Sequence, residues 1–127
     1  MLMDPVTQFD NRDFLNLETF RKNGNGVATP VWFVEDRGIF YVRTGNNSGK
    51  VKRIRNSGWV RIVPCSSRGK PLGEWVEAEA RLVDGELADK VNRLLKMKYR
   101  YQKTMFDLMG KLNKLEPATI EIKILKN

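Results

Sequence analysis

Hydroxyls, glycines and cations crowd into one short stretch of the chain, Thr44-Gly45-Asn46-Asn47-Ser48-Gly49-Lys50. Gly45 and Gly49 allow backbone conformations with positive φ and let N–H groups face a ligand closely. If Ser48 caps a helix starting near Gly49, that helix presents its unbonded N–H groups and its positive end at the same place. Lys50 then sits in the first helical turn, where a cation opposes the helix dipole. A bound anion would remove that conflict. Arg43, Lys50, Lys52, Arg53 and Arg55 place five positive charges between 43 and 55, with no acid among them. These residue types offer a phosphate or carboxylate site. They also describe an ordinary loop with a solvated basic face, and short motif matches are often accidental. Taken alone, the stretch favours the plainer reading.

Composition narrows the chemistry further. The chain has no histidine, which removes His-based triads and the usual general base. Its one cysteine, Cys65, excludes an internal disulfide and a thiolate zinc cluster, and its place after a strand-like run reads as a small buried hydrophobe. No metal site is expected. An enzyme so equipped would draw its chemistry from a cofactor. The net charge of +8 favours anionic partners: nucleic acid, phosphorylated cofactors or anionic surfaces. At 127 residues the chain is expected to form a single domain spanning 1–127. Its apolar runs fall short of a membrane span, and its start lacks the layout of a signal peptide, so the expected location is cytoplasmic.

The elements that must position the turn are mostly strands. Residues 1–13 read as an arm or short helix, with Asp4-Pro5 opening a turn. Phe14–Lys22 and Val27–Glu35 flank Asn23-Gly24-Asn25-Gly26 and read as a hairpin. Pro30, in the middle of the second strand, has no N–H for a ladder, so that strand is expected at an edge or bulged there. A third strand, Ile39–Thr44, leads into the turn. Trp59–Cys65 and Leu72–Val83 read as the fourth and fifth. Glu86–Leu112 is helical by the recurrence of Leu87, Val91, Leu94, Tyr101, Met105, Leu108 and Leu112, with Lys98 interrupting the stripe and a joint near Tyr99-Arg100-Tyr101. Ala118–Lys126 alternates Ile120, Ile122 and Ile124 with Thr119, Glu121 and Lys123, the pattern of a half-buried last strand. Short antiparallel hairpins point to a small barrel, mainly β with helices at its flank.

Six segments then carry a resemblance: LETFRKNG at 17–24, ATPVWF at 28–33, YVRTGNNSGKVKRIR at 41–55, VRIVPC at 60–65, RGKPLGEWVEAEARL at 68–82 and LLKMKY at 94–99. In this order the chain resembles the pyridoxamine 5′-phosphate oxidase-like split-barrel superfamily, and most closely its deazaflavin (coenzyme F-420)-dependent oxidoreductase branch. Ala78 and Arg100 stand where that family often has glycine. The resemblance implies a six-stranded antiparallel split β-barrel with flanking helices, a homodimer, and FMN or coenzyme F-420 bound at the subunit interface. It implies that Thr44, Ser48 and Lys50 bind the cofactor phosphate, with Arg43, Gly49, Val51 and Arg53 in the same site. Thr29, Pro30, Val31 and Trp32 would run beside the flavin ring.

Two classes of function follow. In the first, the chain is an oxidoreductase whose cofactor passes hydride to a small-molecule substrate. No residue is an obvious catalytic acid or base, and the proton would come from water or Tyr41. In the second it is a binder without turnover: of a flavin or tetrapyrrole, or of single-stranded nucleic acid through Trp32, Trp59 and Trp75. The resemblance favours the first and makes nucleic acid the lesser partner.

Overall fold

A computed structural model describes residues 4–100 and 116–125. Its elements are β1 (Phe14–Phe20), β2 (Gly26–Trp32), β3 (Val34–Asp36), β4 (Ile39–Gly45), α1 (Gly49–Asn56), β5 (Trp59–Cys65), β6 (Val76–Val83), α2 (Gly85–Lys98) and β7 (Pro117–Ile124), preceded by a 3-10 turn at Thr7–Phe9. The strands form one antiparallel sheet in the order β2-β1-β5-β6-β7-β4-β3.

The sheet has seven strands where six were expected, and the difference lies at Phe33. The segment Val27–Glu35 is two strands, not one. The chain leaves one edge of the sheet after Trp32 and joins the other edge at Val34. With a single residue between those edges, the sheet must curl until they meet. Phe33 is buried at that seam. The Tyr99 hydroxyl reaches the carbonyls of Phe33 and Asp13, each at 2.7 Å, and the Lys98 ammonium donates to the Phe33 carbonyl at 2.9 Å. Pro30 lies in an edge strand as expected. β2 pairs with β1 alone, so a residue without an N–H is tolerated there.

Alternation fills the interior. Leu15, Leu17, Phe40, Val42, Val60, Ile62, Ile120 and Ile122 meet inside the curl, closed by Val51 and Ile54 of α1 and by Phe9. A second cluster outside β4 joins Val34 and Tyr41 to Val91, Leu95 and Tyr99.

Other boundaries moved for long-range reasons. The strand expected over Leu72–Val83 starts only at Val76, because the Gln8 amide takes both the N–H and the carbonyl of Glu74, each at 2.9 Å. β1 stops at Phe20, short of Lys22. β7 is buried on both faces from Ala118 to Ile122 rather than half-buried, since it lies inside the sheet between β6 and β4. The Glu121 carboxylate is held there by Arg81 at 2.7 Å, and this pairing keeps it below the usual carboxylate range. α2 ends at Lys98, with Tyr99 as its cap, so Arg100 does not extend the helix. Its buried face runs Val91, Leu95, Tyr99 at four-residue intervals. Tyr101, Met105, Leu108 and Leu112, and Lys126 of the last strand, lie outside the described residues. No helix among the described residues is long and apolar enough to cross a membrane.

Lys98 carries a pH signature. Its stem is open to solvent, but its ammonium lies 3.7 Å from the Phe33 ring centroid. Burial pushes it down to about 8, against the opposing pull of Asp13 and Glu35. Since the folded value lies below the ordinary 10.5, the folded state binds fewer protons than the unfolded state between pH 8 and 10.5. This group's contribution to stability is therefore expected to rise with pH across that window. Urea midpoints at pH 7.5 and 9.5, compared between wild type and Lys98→Met, measure it. An identical pH response in the two proteins contradicts the assignment.

Candidate anion and cofactor site

β4 delivers Thr44 on the same face as Phe40 and Val42, and the chain then turns. The Ser48 N–H bonds the Gly45 carbonyl at 3.1 Å, and the Asn46 N–H bonds the Glu116 carbonyl at 2.8 Å. Ser48 caps α1 as expected, its hydroxyl accepting from the Val51 N–H at 3.3 Å. Val51 and Ile54 are buried in the barrel, which sets the roll of the helix. The N–H groups of Gly49 and Lys50 precede the first intrahelical donor, that of Lys52 to the Ser48 carbonyl, and point out of the helix start. Ser48→Ala is expected to lower stability by about 1 kcal/mol through the lost cap. A urea midpoint unchanged from wild type would show that the cap contributes nothing.

Neither Gly45 nor Gly49 has positive φ. A Cβ at Gly49 would lie 2.7 Å from Nη1 of Arg53, so any larger residue there would push the end of that side chain aside. The Arg53 guanidinium thus folds back against the start of its own helix. Its Nε donates to the hydroxyl of Thr19 at 2.6 Å. Burial lowers the Arg53 pKa, and the charge of Arg21 lowers it further. Lys50, half-buried, is lowered by burial first and by Arg53 second. Neither Lys50 nor Arg53 has a carboxylate partner among the described residues. The start of α1 therefore gathers Lys50 and Arg53 with no carboxylate to offset them among the described residues.

The structure brings together Thr44, Ser48, Gly49, Lys50, Val51 and Arg53, although the Val51 side chain is spent in the core. Arg43 is placed elsewhere: it lies on the outer face of β4 and donates to Asn92 of α2. Tyr41 shares that outer face, buried in the second cluster, and burial raises its pKa. This placement turns it away from the Thr44 face. On β2, Thr29 and Val31 lie opposite Leu17 and Leu15, facing inward. The Thr29 Oγ1 is buried and has no hydrogen-bond partner, the one such side-chain atom among the described residues. Trp32 lodges between Phe14 at 4.3 Å and Tyr99 at 4.7 Å. Cys65 is buried and its thiol is pushed up to about 11, which leaves it an inert hydrophobe.

Thr19 and Arg21 are the residues sequence reasoning missed. Thr19 lies on β1 and Arg21 just past its end, and nothing local ties that segment to α1. A cavity of about 750 Å³ lies between the N-terminal segment and Leu72–Val76, and none of the expected site residues lines it. A smaller cleft of about 230 Å³ beside the cations is lined by Phe20, Arg21, Lys22, Lys52, Arg53 and Asn56.

No family model matches the sequence, and no curated protein does. Solved structures do match. HutZ, the haem storage protein from Vibrio cholerae, superposes with a TM-score of 0.71 at 17% identity, covering 100% of this chain and 93% of that one. A protein assigned as a pyridoxamine 5′-phosphate oxidase from Listeria innocua gives 0.65 at 13% identity, covering 95% and 90%. The chain has the split-barrel fold of the pyridoxamine 5′-phosphate oxidase-like superfamily. An F420 reductase is a further split-barrel neighbour, with a TM-score of 0.60 at 14% identity and coverage of 99% and 97%. The split-barrel neighbours thus include oxidoreductases and a haem storage protein.

Proposed function

We propose that this split barrel binds a phosphorylated flavin-type cofactor, FMN or coenzyme F-420, and is an oxidoreductase acting on a small-molecule substrate. The observation that carries the reading is the Ser48-capped start of α1, where Lys50 and Arg53 stand with no carboxylate partner among the described residues. Ser48, Lys50 and Arg53 would hold the phosphate, with the bare Cα of Gly49 leaving room for Arg53. Thr29, whose hydroxyl lacks a partner, would donate to an acceptor on the ring alongside β2. When bound, the flavin supplies hydride transfer. The chain's own part is to orient the ring, exclude water and offset the phosphate charge. A second copy of the chain is proposed to complete the pocket, as a homodimer.

A tetrapyrrole-binding role is the second reading, favoured by the likeness to HutZ. Against it, the chain has no histidine to serve as axial ligand. The nucleic-acid reading loses two of its three stacking residues. Trp32 is packed against Phe14 and Tyr99, and Trp75 lies under the Arg61 guanidinium at 4.9 Å.

The test is an absorbance spectrum of the purified protein followed by titration with FMN, coenzyme F-420 and haem. Saturable flavin binding near one per subunit supports the proposal. Binding of haem with indifference to both flavins replaces it with the second reading.

A further inference from the structure

We propose that the cavity between the N-terminal segment and Leu72–Val76 is a second binding pocket, one that takes an uncharged, mainly apolar small molecule. It stands apart from the start of α1 and does not depend on the cofactor reading. The 3-10 turn carries Phe9 into the core, where its ring meets that of Phe40, near the start of β4, at 4.7 Å. α1 follows the other end of β4. None of Thr44, Ser48, Lys50 and Arg53 lines the cavity.

Both walls are held, which keeps the space open. Phe9 anchors one of them, since it is buried in the barrel while its neighbours Thr7, Gln8 and Asp10 line the cavity. Leu72 anchors the other: its N–H donates to the Pro64 carbonyl of β5 at 2.7 Å. The Gln8 amide ties the two together. Its Nε2 donates to the Glu74 carbonyl and its Oε1 accepts from the Glu74 N–H, each at 2.9 Å. A Cβ at Gly73 would meet Oε1 of Gln8 and lie 3.0 Å from Cγ of Pro64, so the chain there is wedged between the turn and β5. The space left between these walls is about 750 Å³, within the ~300–1,000 Å³ range of small-molecule pockets.

Pro5, Leu72 and Val76 give the cavity its apolar surface, and Leu72 stands exposed there. Taking that surface out of water is the gain on binding. The charged residues of the lining are Asp10, Arg12 and Glu74, two carboxylates and one guanidinium, for a net charge of −1. None of the three has an ion-pair partner among the described residues. The sign is opposite to that of the chain as a whole, which carries +8. An apolar anion would bring a further negative charge against this lining, and juxtaposed like charges disfavour a ligand. An uncharged body of the same shape gains the burial without that repulsion.

The test uses two dyes with one body: N-phenyl-1-naphthylamine, which is uncharged, and 8-anilinonaphthalene-1-sulfonate, which adds a sulfonate. The uncharged dye is titrated by its fluorescence. The sulfonate is scored by its displacement of the uncharged dye, so that its binding to cations elsewhere is not counted. The proteins are wild type, Leu72→Trp, which fills the cavity from an exposed position, and Glu74→Lys, which takes the net charge of the lining from −1 to +1. The uncharged dye is expected to bind wild type saturably, near one per chain, and about tenfold or more tighter than the sulfonate. Leu72→Trp is expected to weaken it about tenfold or more, and Glu74→Lys to narrow the gap between the dyes. Saturating FMN is expected to leave the uncharged dye in place. Absence of saturable binding to wild type, binding that survives Leu72→Trp, or binding that FMN displaces overturns the pocket. A sulfonate that binds as tightly as the uncharged dye, or a gap that Glu74→Lys leaves as it was, overturns the preference for uncharged molecules. Should Leu72→Trp fail to fold, the FMN competition and Glu74→Lys decide the matter.

Discussion

Lys50→Ala is expected to weaken FMN binding about 10- to 100-fold, the loss of one charge-assisted phosphate contact of roughly 1.5–3 kcal/mol. The same substitution is expected to leave the ligand-free fold as stable as before, or more so. Both follow from one fact: burial and Arg53 together disfavour the Lys50 cation, and no carboxylate among the described residues offsets them. A cation also sits poorly in the first turn of a helix. Lys50 is thus a cost in the empty site and a gain in the filled one. Riboflavin, which lacks the phosphate, should bind wild type and variant alike. Parallel titrations of FMN and riboflavin, with urea melts of both proteins, read the two effects separately. Equal FMN affinity in the two proteins removes Lys50 from the site, and a large loss of ligand-free stability makes it a structural residue.

The second large effect is on folding. Phe40→Ala is expected to cost about 3–5 kcal/mol, because the ring is fully buried and its loss leaves a cavity. Phe40 meets Phe9 at 4.7 Å and Phe33 at 5.9 Å between ring centroids. Those two rings close the barrel end and fill the seam. The loss is of the order of a small domain's whole stability. It is read as a lower urea midpoint at unchanged slope. A loss below about 1 kcal/mol would mean that Phe9 and Phe33 collapse into the space.

Local chemistry was legible in the sequence. The Ser48 cap, the helix start at Gly49 and the strand Trp59–Cys65 are set by residues within a turn of one another, and they stand where the sequence places them. What was not legible is what distant partners impose. The break at Phe33 depends on a sheet that has already curled, and no residue nearby announces it. The late start of β6 depends on Gln8, 66 residues away from Glu74. The site divides the same way. Ser48, Lys50 and Arg53 lie together at the start of α1, where neighbours in sequence are neighbours in space. Thr19 meets Arg53 from β1, a contact between residues far apart in sequence that no local pattern announces. Arg43 was grouped with the α1 residues by proximity in sequence, but strand alternation turns it to the opposite face, toward Asn92.

The seam at Phe33 has a further consequence, for how copies of this chain meet. A curled sheet joined at its edges by covalent chain still has two outer strands whose backbone groups are templates for strand addition by another molecule. Here both templates are poor. β3 is three residues long and ends at Asp36, and the outer row of β2 is interrupted by Pro30. Edge-to-edge polymerisation would need a continuous row of backbone donors, and neither strand provides one. Pro30, an edge-strand residue without an N–H, thus works against fibrous self-association.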